Sequence, residues 1–149
     1  MGDWKSEYER KTVPAEVAAM SVKSGDRLAF TTGREAYAAG LAIAARKNEL
    51  KNVQVFVPTP GFDFGWYDAG WDDSFDIVTS FPLGVNKQML EEGRGDLIFG
   101  SLVPFDNEIF KLGVDVLLTE VSEPDEKGFC SFGASAWNKK RQVEDAKIV

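Results

Sequence analysis

The side chains able to do chemistry in this sequence are few. There is no histidine, which removes Ser-His-Asp and Cys-His machinery and any histidine-based metal site; no metal site is expected. The single cysteine, Cys130, lies between aromatic residues in an expected extended segment, Phe129-Cys130-Ser131-Phe132. A thiol there reads as a small buried hydrophobe rather than a nucleophile. One cysteine also excludes an internal disulfide and fits a reducing compartment. Carboxylates gather around one turn, at Glu120, Glu123 and Glu126. A second polar cluster, Thr31-Thr32-Gly33-Arg34, stands where a strand gives way to a helix; taken alone it is a turn carrying an exposed charge.

The elements that hold these residues follow from the apolar pattern. Val114, Val116, Leu117, Leu118 and Val121 form a short apolar run, valine-rich and therefore largely β-branched, of the kind that makes a strand buried on both faces. Pro124 and Gly128 then force a turn, because proline cannot continue a central ladder and glycine accepts positive φ. Earlier strands are expected over Arg27–Thr32, Asn52–Val57, Ile77–Phe81 and Leu97–Phe99. Helices are expected after Asp3 and Pro14, over Ala36–Lys47, around Lys87–Glu91, over residues 107–112 and over residues 138–146. Short strands alternating with helices predict an α/β domain with a mainly parallel sheet flanked by helices. A strand, glycine loop and helix places the Thr31–Arg34 backbone at the carboxyl edge of that sheet. Gly61 to Asp76 fits no regular element and holds Phe62, Phe64, Trp66, Tyr67, Trp71 and Phe75. So many rings need a surface to cover, and an interface or a lid is favoured.

At 149 residues the chain is expected to be a single domain over residues 1–149. With 44% hydrophobic and 28% charged residues it is globular rather than disordered. A net charge of −7 argues against nucleic acid as a partner, since phosphate binding needs a cationic face. The longest apolar runs are far short of a membrane span, so no membrane is expected and the cytoplasm is the expected compartment.

The strand at Asp115, Val116 and Leu118, the turn at Pro124-Asp125-Glu126, and Gly128, Phe129, Cys130, Ser131 and Gly133 together resemble the signature of the acetyl-CoA hydrolase/transferase family. This family I group includes 4-hydroxybutyrate and succinate CoA-transferases. Glu123, Lys127 and Phe129 depart from the pattern, standing where the family often has proline, histidine and tyrosine. Lys23-Ser24-Gly25-Asp26 and Gly93-Arg94-Gly95-Asp96 are similar to further family turns. Gly84 and Asn86 match a glycine-x-asparagine-x-arginine stretch, with Gln88 replacing the arginine.

The resemblance implies the fold of a family I CoA-transferase N-terminal domain, with Thr31, Thr32, Gly33 and Arg34, Gly61, and Gly84 and Asn86 lining the acyl side of a cleft. Arg34 would then meet a substrate carboxylate, whose two oxygens a guanidinium matches. It implies acyl-CoA and a small carboxylate as substrates, coenzyme A as a substrate rather than a tightly bound cofactor, and a homo-oligomer. It places the family's nucleophilic glutamate in a C-terminal domain outside this sequence, so none of the residues here is assigned as catalytic. Lys147-Ile148-Val149 reads as the start of a strand, which leads to the expectation of a C-terminal domain or partner subunit. The alternative is a stand-alone, non-catalytic α/β ligand-binding or interaction module.

Overall fold

The computed structural model describes residues 3–99, 113–133 and 136–149. Five strands lie side by side, all parallel: β1 (Arg27–Phe30), β2 (Val53–Val57), β3 (Phe75–Thr79), β4 (Asp96–Leu97) and β5 (Val116–Leu118). Their order across the sheet is β4-β3-β2-β1-β5. The chain therefore steps outward from β1 in one direction as far as β4, then returns to the other side of β1. Register is fixed by Leu28 beside Val55 on one flank and beside Val116 on the other. Each strand is shorter than or offset from its expected span. Val114–Val121, for example, reduces to three residues of ladder, since Val121 is exposed beyond Leu118. Ile148 extends the sheet by one parallel bridge to Val116, where a strand start was expected.

Parallel strands carry side chains alternately to both faces, so both faces need cover. One face presents Leu28, Phe30, Val53, Val55, Val57, Phe75, Ile77 and Val116. It packs against α2 (Ala15–Ala19), α3 (Tyr37–Ala44) and α4 (Lys87–Glu91) through Ala19, Ile43, Ala44 and Met89. Arg46, just past α3, ties the end of α2 to it by donating to the carbonyls of Ala19 and of Val22 in the turn that follows. The second face presents Ala29, Phe56, Val78 and Leu117, against which Val143 and Ala146 pack from α5 (Lys139–Asp145) and its end. The expected α/β architecture is thus present. The helix expected over residues 107–112 lies outside the described residues.

Helices α2 and α4 have five residues each, and α3 has eight. Such short helices leave sheet surface bare, and the aromatic segment fills it. Phe64, Trp66, Tyr67 and Phe75 are buried, with the Phe64 and Trp66 rings 5.6 and 5.9 Å from that of Phe30. Glycine at position 40 of α3 admits the Phe64 ring, which a Cβ there would overlap. Most of the segment is therefore core packing and not the favoured lid or interface; of these rings only Phe62 is well exposed.

The turn after β5 also differs from expectation. Asp125 organises it, its carboxylate accepting from the N–H groups of Lys127 and Phe129. Ser122 N–H reaches Ser131 O at 2.9 Å, but no second ladder forms. Residues 129–132 are not a strand, Phe129 is 70% exposed, and Cys130 is exposed rather than buried. The alternation expected of a buried strand cannot operate where the Asx-type turn consumes the backbone donors.

Candidate functional site

In an open parallel sheet, ligands gather beyond the carboxyl ends of the strands, where the strand order reverses. Here the reversal lies between β1 and β5. Thr31, the first residue past β1, is buried at that point; its N–H donates to Leu118 O at 3.1 Å, and its hydroxyl shares a 3.1 Å hydrogen bond with the Thr119 hydroxyl. Above this pair Arg34 Nε lies 3.0 Å from Glu120 Oε2, both side chains being well exposed. The β1–β5 reversal therefore carries a hydrogen-bonded hydroxyl pair and an exposed ion pair.

The loop after β1 is tied to its other neighbour as well. Gly33, at φ +103°, turns its N–H onto Thr59 Oγ1 at 3.0 Å. Only a residue free of Cβ takes that φ cheaply, which gives this glycine its role. Glu35, 3% exposed, reaches the loop after β2: its Oε2 accepts from both Gly61 N–H and Phe62 N–H at 2.9 Å. Its Oε1 is buried with no hydrogen-bond partner among the described residues. Burial pushes this carboxyl above the usual glutamate range, and the two accepted N–H bonds pull it part of the way back. Sequence reasoning passed over Glu35. Its signal was available: an acidic residue directly before an alanine-rich helix, beside a loop that needs an acceptor.

A second residue missed in the sequence is Lys139. It is 1% exposed, and its ammonium donates to Phe132 O at 3.0 Å and Glu120 O at 3.4 Å. It ties the end of the turn to the exit of β5 and so sets where Glu120 stands. Burial lowers its pKa, with the nearby Glu120 charge opposing and that of Arg34 reinforcing the shift.

The expected site residues divide accordingly. Thr31, Thr32, Gly33 and Arg34 share the loop after β1, with Thr32 half-buried and Gly33 and Arg34 exposed. Gly61 follows β2, and its N–H is already committed to Glu35. A Cβ at Gly61 would stand 3.3 Å from Glu35 Oε2, a close contact that glycine avoids. Gly84 and Asn86 follow β3, separated from β1 by β2. Gly84 is exposed with open space around its Cα. Asn86 is fully buried; its Oδ1 accepts from Leu83 N–H at 2.7 Å and its Nδ2 donates to Phe81 O at 3.1 Å. The amide shapes its own loop. A small cavity lined by Arg27, Leu28, Ala29, Gln54, Phe56, Gly113 and Val114 lies toward the amino ends of the strands, away from these groups, and its lining is mostly apolar. Among the described residues, no group of three or more His, Cys, Asp or Glu side chains is placed to hold a metal, and no helix is long and apolar enough to cross a membrane.

No family model matches the sequence. Over 155 residues it is 30% identical to the 4-hydroxybutyrate coenzyme A transferase of Clostridium kluyveri, an alignment covering 99% of this chain. Almost the whole chain is thus similar to part of a CoA-transferase. It spans about a third, 35%, of that relative's length. The fold is shared with RipA from Yersinia pestis (TM-score 0.85, 18% identity, 97% of this chain and 36% of that one). A RipA point mutant superposes equally, with TM-score 0.85 and 18% identity over 97% of this chain and 37% of that one.

Proposed function

We propose that the domain forms the acyl and carboxylate side of an enzyme that moves CoA between a small acyl group and a carboxylate such as acetate, or that hydrolyses the acyl-CoA thioester. The observation that carries this reading is the Arg34–Glu120 pair. A guanidinium at the β1–β5 reversal already holds a carboxylate, 3.0 Å away. Exposed pairs of this kind are worth about 0–1 kcal/mol, so an incoming carboxylate can take the place of Glu120 at little cost. Thr31, Thr32, Gly33, Gly61, Gly84 and Asn86 shape the surrounding loops, the last by holding the loop after β3 from within.

In this reading the glutamate that attacks the thioester and passes CoA onward as a glutamyl-CoA thioester lies in a C-terminal domain or partner subunit. The isolated domain is then inactive. Coenzyme A is a substrate and no resident cofactor is needed. A homo-oligomer in the cytoplasm fits the same reading.

The test is exchange of labelled acetate into acyl-CoA by the full-length gene product, with thioester hydrolysis followed in parallel. Exchange or hydrolysis that Arg34→Ala weakens through the carboxylate KM supports the reading. Carboxylate binding without either reaction would leave a ligand-binding module that does no covalent chemistry.

A further inference from the structure

Neighbouring residues 34 and 35 send their side chains to opposite flanks of β1: Arg34 toward β5, Glu35 toward β2. The Glu35 flank carries aromatic rings. Glu35 Oε2 gathers two consecutive backbone N–H groups, those of Gly61 and Phe62. This fixes the start of the Phe62 side chain, whose ring lies 4.7 Å from that of Tyr37, the first residue of α3. Both rings remain open to solvent, Tyr37 at 44% and Phe62 at 40%. Phe64, buried beneath them at 5.8 Å from Tyr37 and 6.4 Å from Phe62, anchors the pair to the core. The arrangement uses a buried carboxylate whose burial alone is unfavourable. A neutral side chain would hold α3 to the sheet at lower cost, so the group is better explained by what it positions.

We infer that Glu35 is a positioning residue for acyl-group selection: by clamping Gly61 and Phe62 it holds the Tyr37–Phe62 ring pair as the wall that takes the hydrocarbon end of an acyl group whose carboxyl end lies toward Arg34. This rests on the proposed transferase or hydrolase reading and narrows its substrate class. The preferred acyl group carries a hydrocarbon chain longer than acetyl, because exposed aromatic faces gain from apolar contact.

The experiment uses the full-length chain with Glu35→Ala, Glu35→Gln and Phe62→Ala. Two readouts are taken: hydrogen exchange at the Gly61 and Phe62 amides, and kcat and KM for acetyl-CoA against hexanoyl-CoA. In Glu35→Ala the two amides exchange at least about tenfold faster, and the hexanoyl preference falls about tenfold through KM with kcat little changed. Glu35→Gln, which keeps an acceptor oxygen, restores most of both. Phe62→Ala leaves the Gly61 amide protected and loses the same preference. Faster amide exchange with an unchanged hexanoyl-to-acetyl ratio would make Glu35 structural only and overturn the inference. Unchanged amide exchange in Glu35→Ala would overturn the clamp itself. If the wild-type chain turns over no acyl-CoA while the amides respond, the parent reading fails and acyl selection falls with it, the clamp surviving as a structural tie.

Discussion

Gly128, in the turn after β5, lies directly under the indole of Trp4: a Cβ at Gly128 would stand 2.7 Å from Trp4 Cγ. Trp4 belongs to α1 (Trp4–Lys11), so this contact joins the first helix to the turn that Asp125 organises. Gly128 also has φ +85°. Gly128→Ala should therefore cost about 2–4 kcal/mol, combining left-handed strain and overpacking. Urea unfolding measures it. In a Trp4→Ala background the penalty should shrink toward the strain alone, and equal penalties in both backgrounds would refute the contact.

Arg34 and Glu120 should separate binding from stability. Glu120→Gln removes the competing carboxylate, and the acceptor KM of the full-length enzyme should fall a few-fold; Arg34→Ala should raise it about tenfold. Neither should change the unfolding free energy by more than roughly 0.5 kcal/mol, because the pair is exposed. A carboxylate KM indifferent to both would move the carboxylate site elsewhere.

Acid should act on two carboxylates with opposite sign. The hydrogen bond from Lys147 and that from the Arg27 N–H hold Asp115 below the usual aspartate range. Its stabilisation is present above the unfolded value and is lost as pH falls through the folded one. Glu35 is raised, so stability is greatest below its unfolded value and is lost as pH rises through the folded one. Urea midpoints between about pH 2 and 7 should show a shallower acid limb in Asp115→Asn, and in Glu35→Gln less loss with rising pH.

Helix propensity and packing make opposite forecasts at Gly40. An alanine in a helix interior ordinarily stabilises by about 1 kcal/mol. Phe64 occupies the space its Cβ needs, so Gly40→Ala should instead destabilise by about 1–3 kcal/mol. Chemical denaturation decides between the two signs.

The sheet was legible because Val53–Val57, Phe75–Thr79 and Val116–Leu118 are buried on both faces and therefore read as apolar runs. The edge order was not, since apolar runs do not say which flank of β1 receives β5. Phe64 and Trp66 were misread because ring content shows a need for cover but not whether the helices already supply it. Cys130 was misread because Asp125 captures the local donors and no strand forms. At the edge, Arg34 was visible as a free loop charge, while Glu35 and Lys139 were not: each is defined by backbone atoms from distant loops, Gly61 and Phe62 for one, Phe132 and Glu120 for the other.

The reversal of strand order also dictates when the β1–β5 junction can exist. Thr31 and Thr119 are 88 residues apart along the chain, whereas β2 follows β1 after one helix. During synthesis β1 through β4 can pair as they emerge, but β1 keeps one bare edge until the whole of β5 has left the ribosome. Loop-closure entropy makes that last pairing slow, and an unpaired parallel edge is a template for other chains. Chains arrested or cleaved before Val116 should therefore aggregate rather than persist as a smaller soluble sheet. The Thr31–Thr119 contact therefore closes only after the other four strands have emerged.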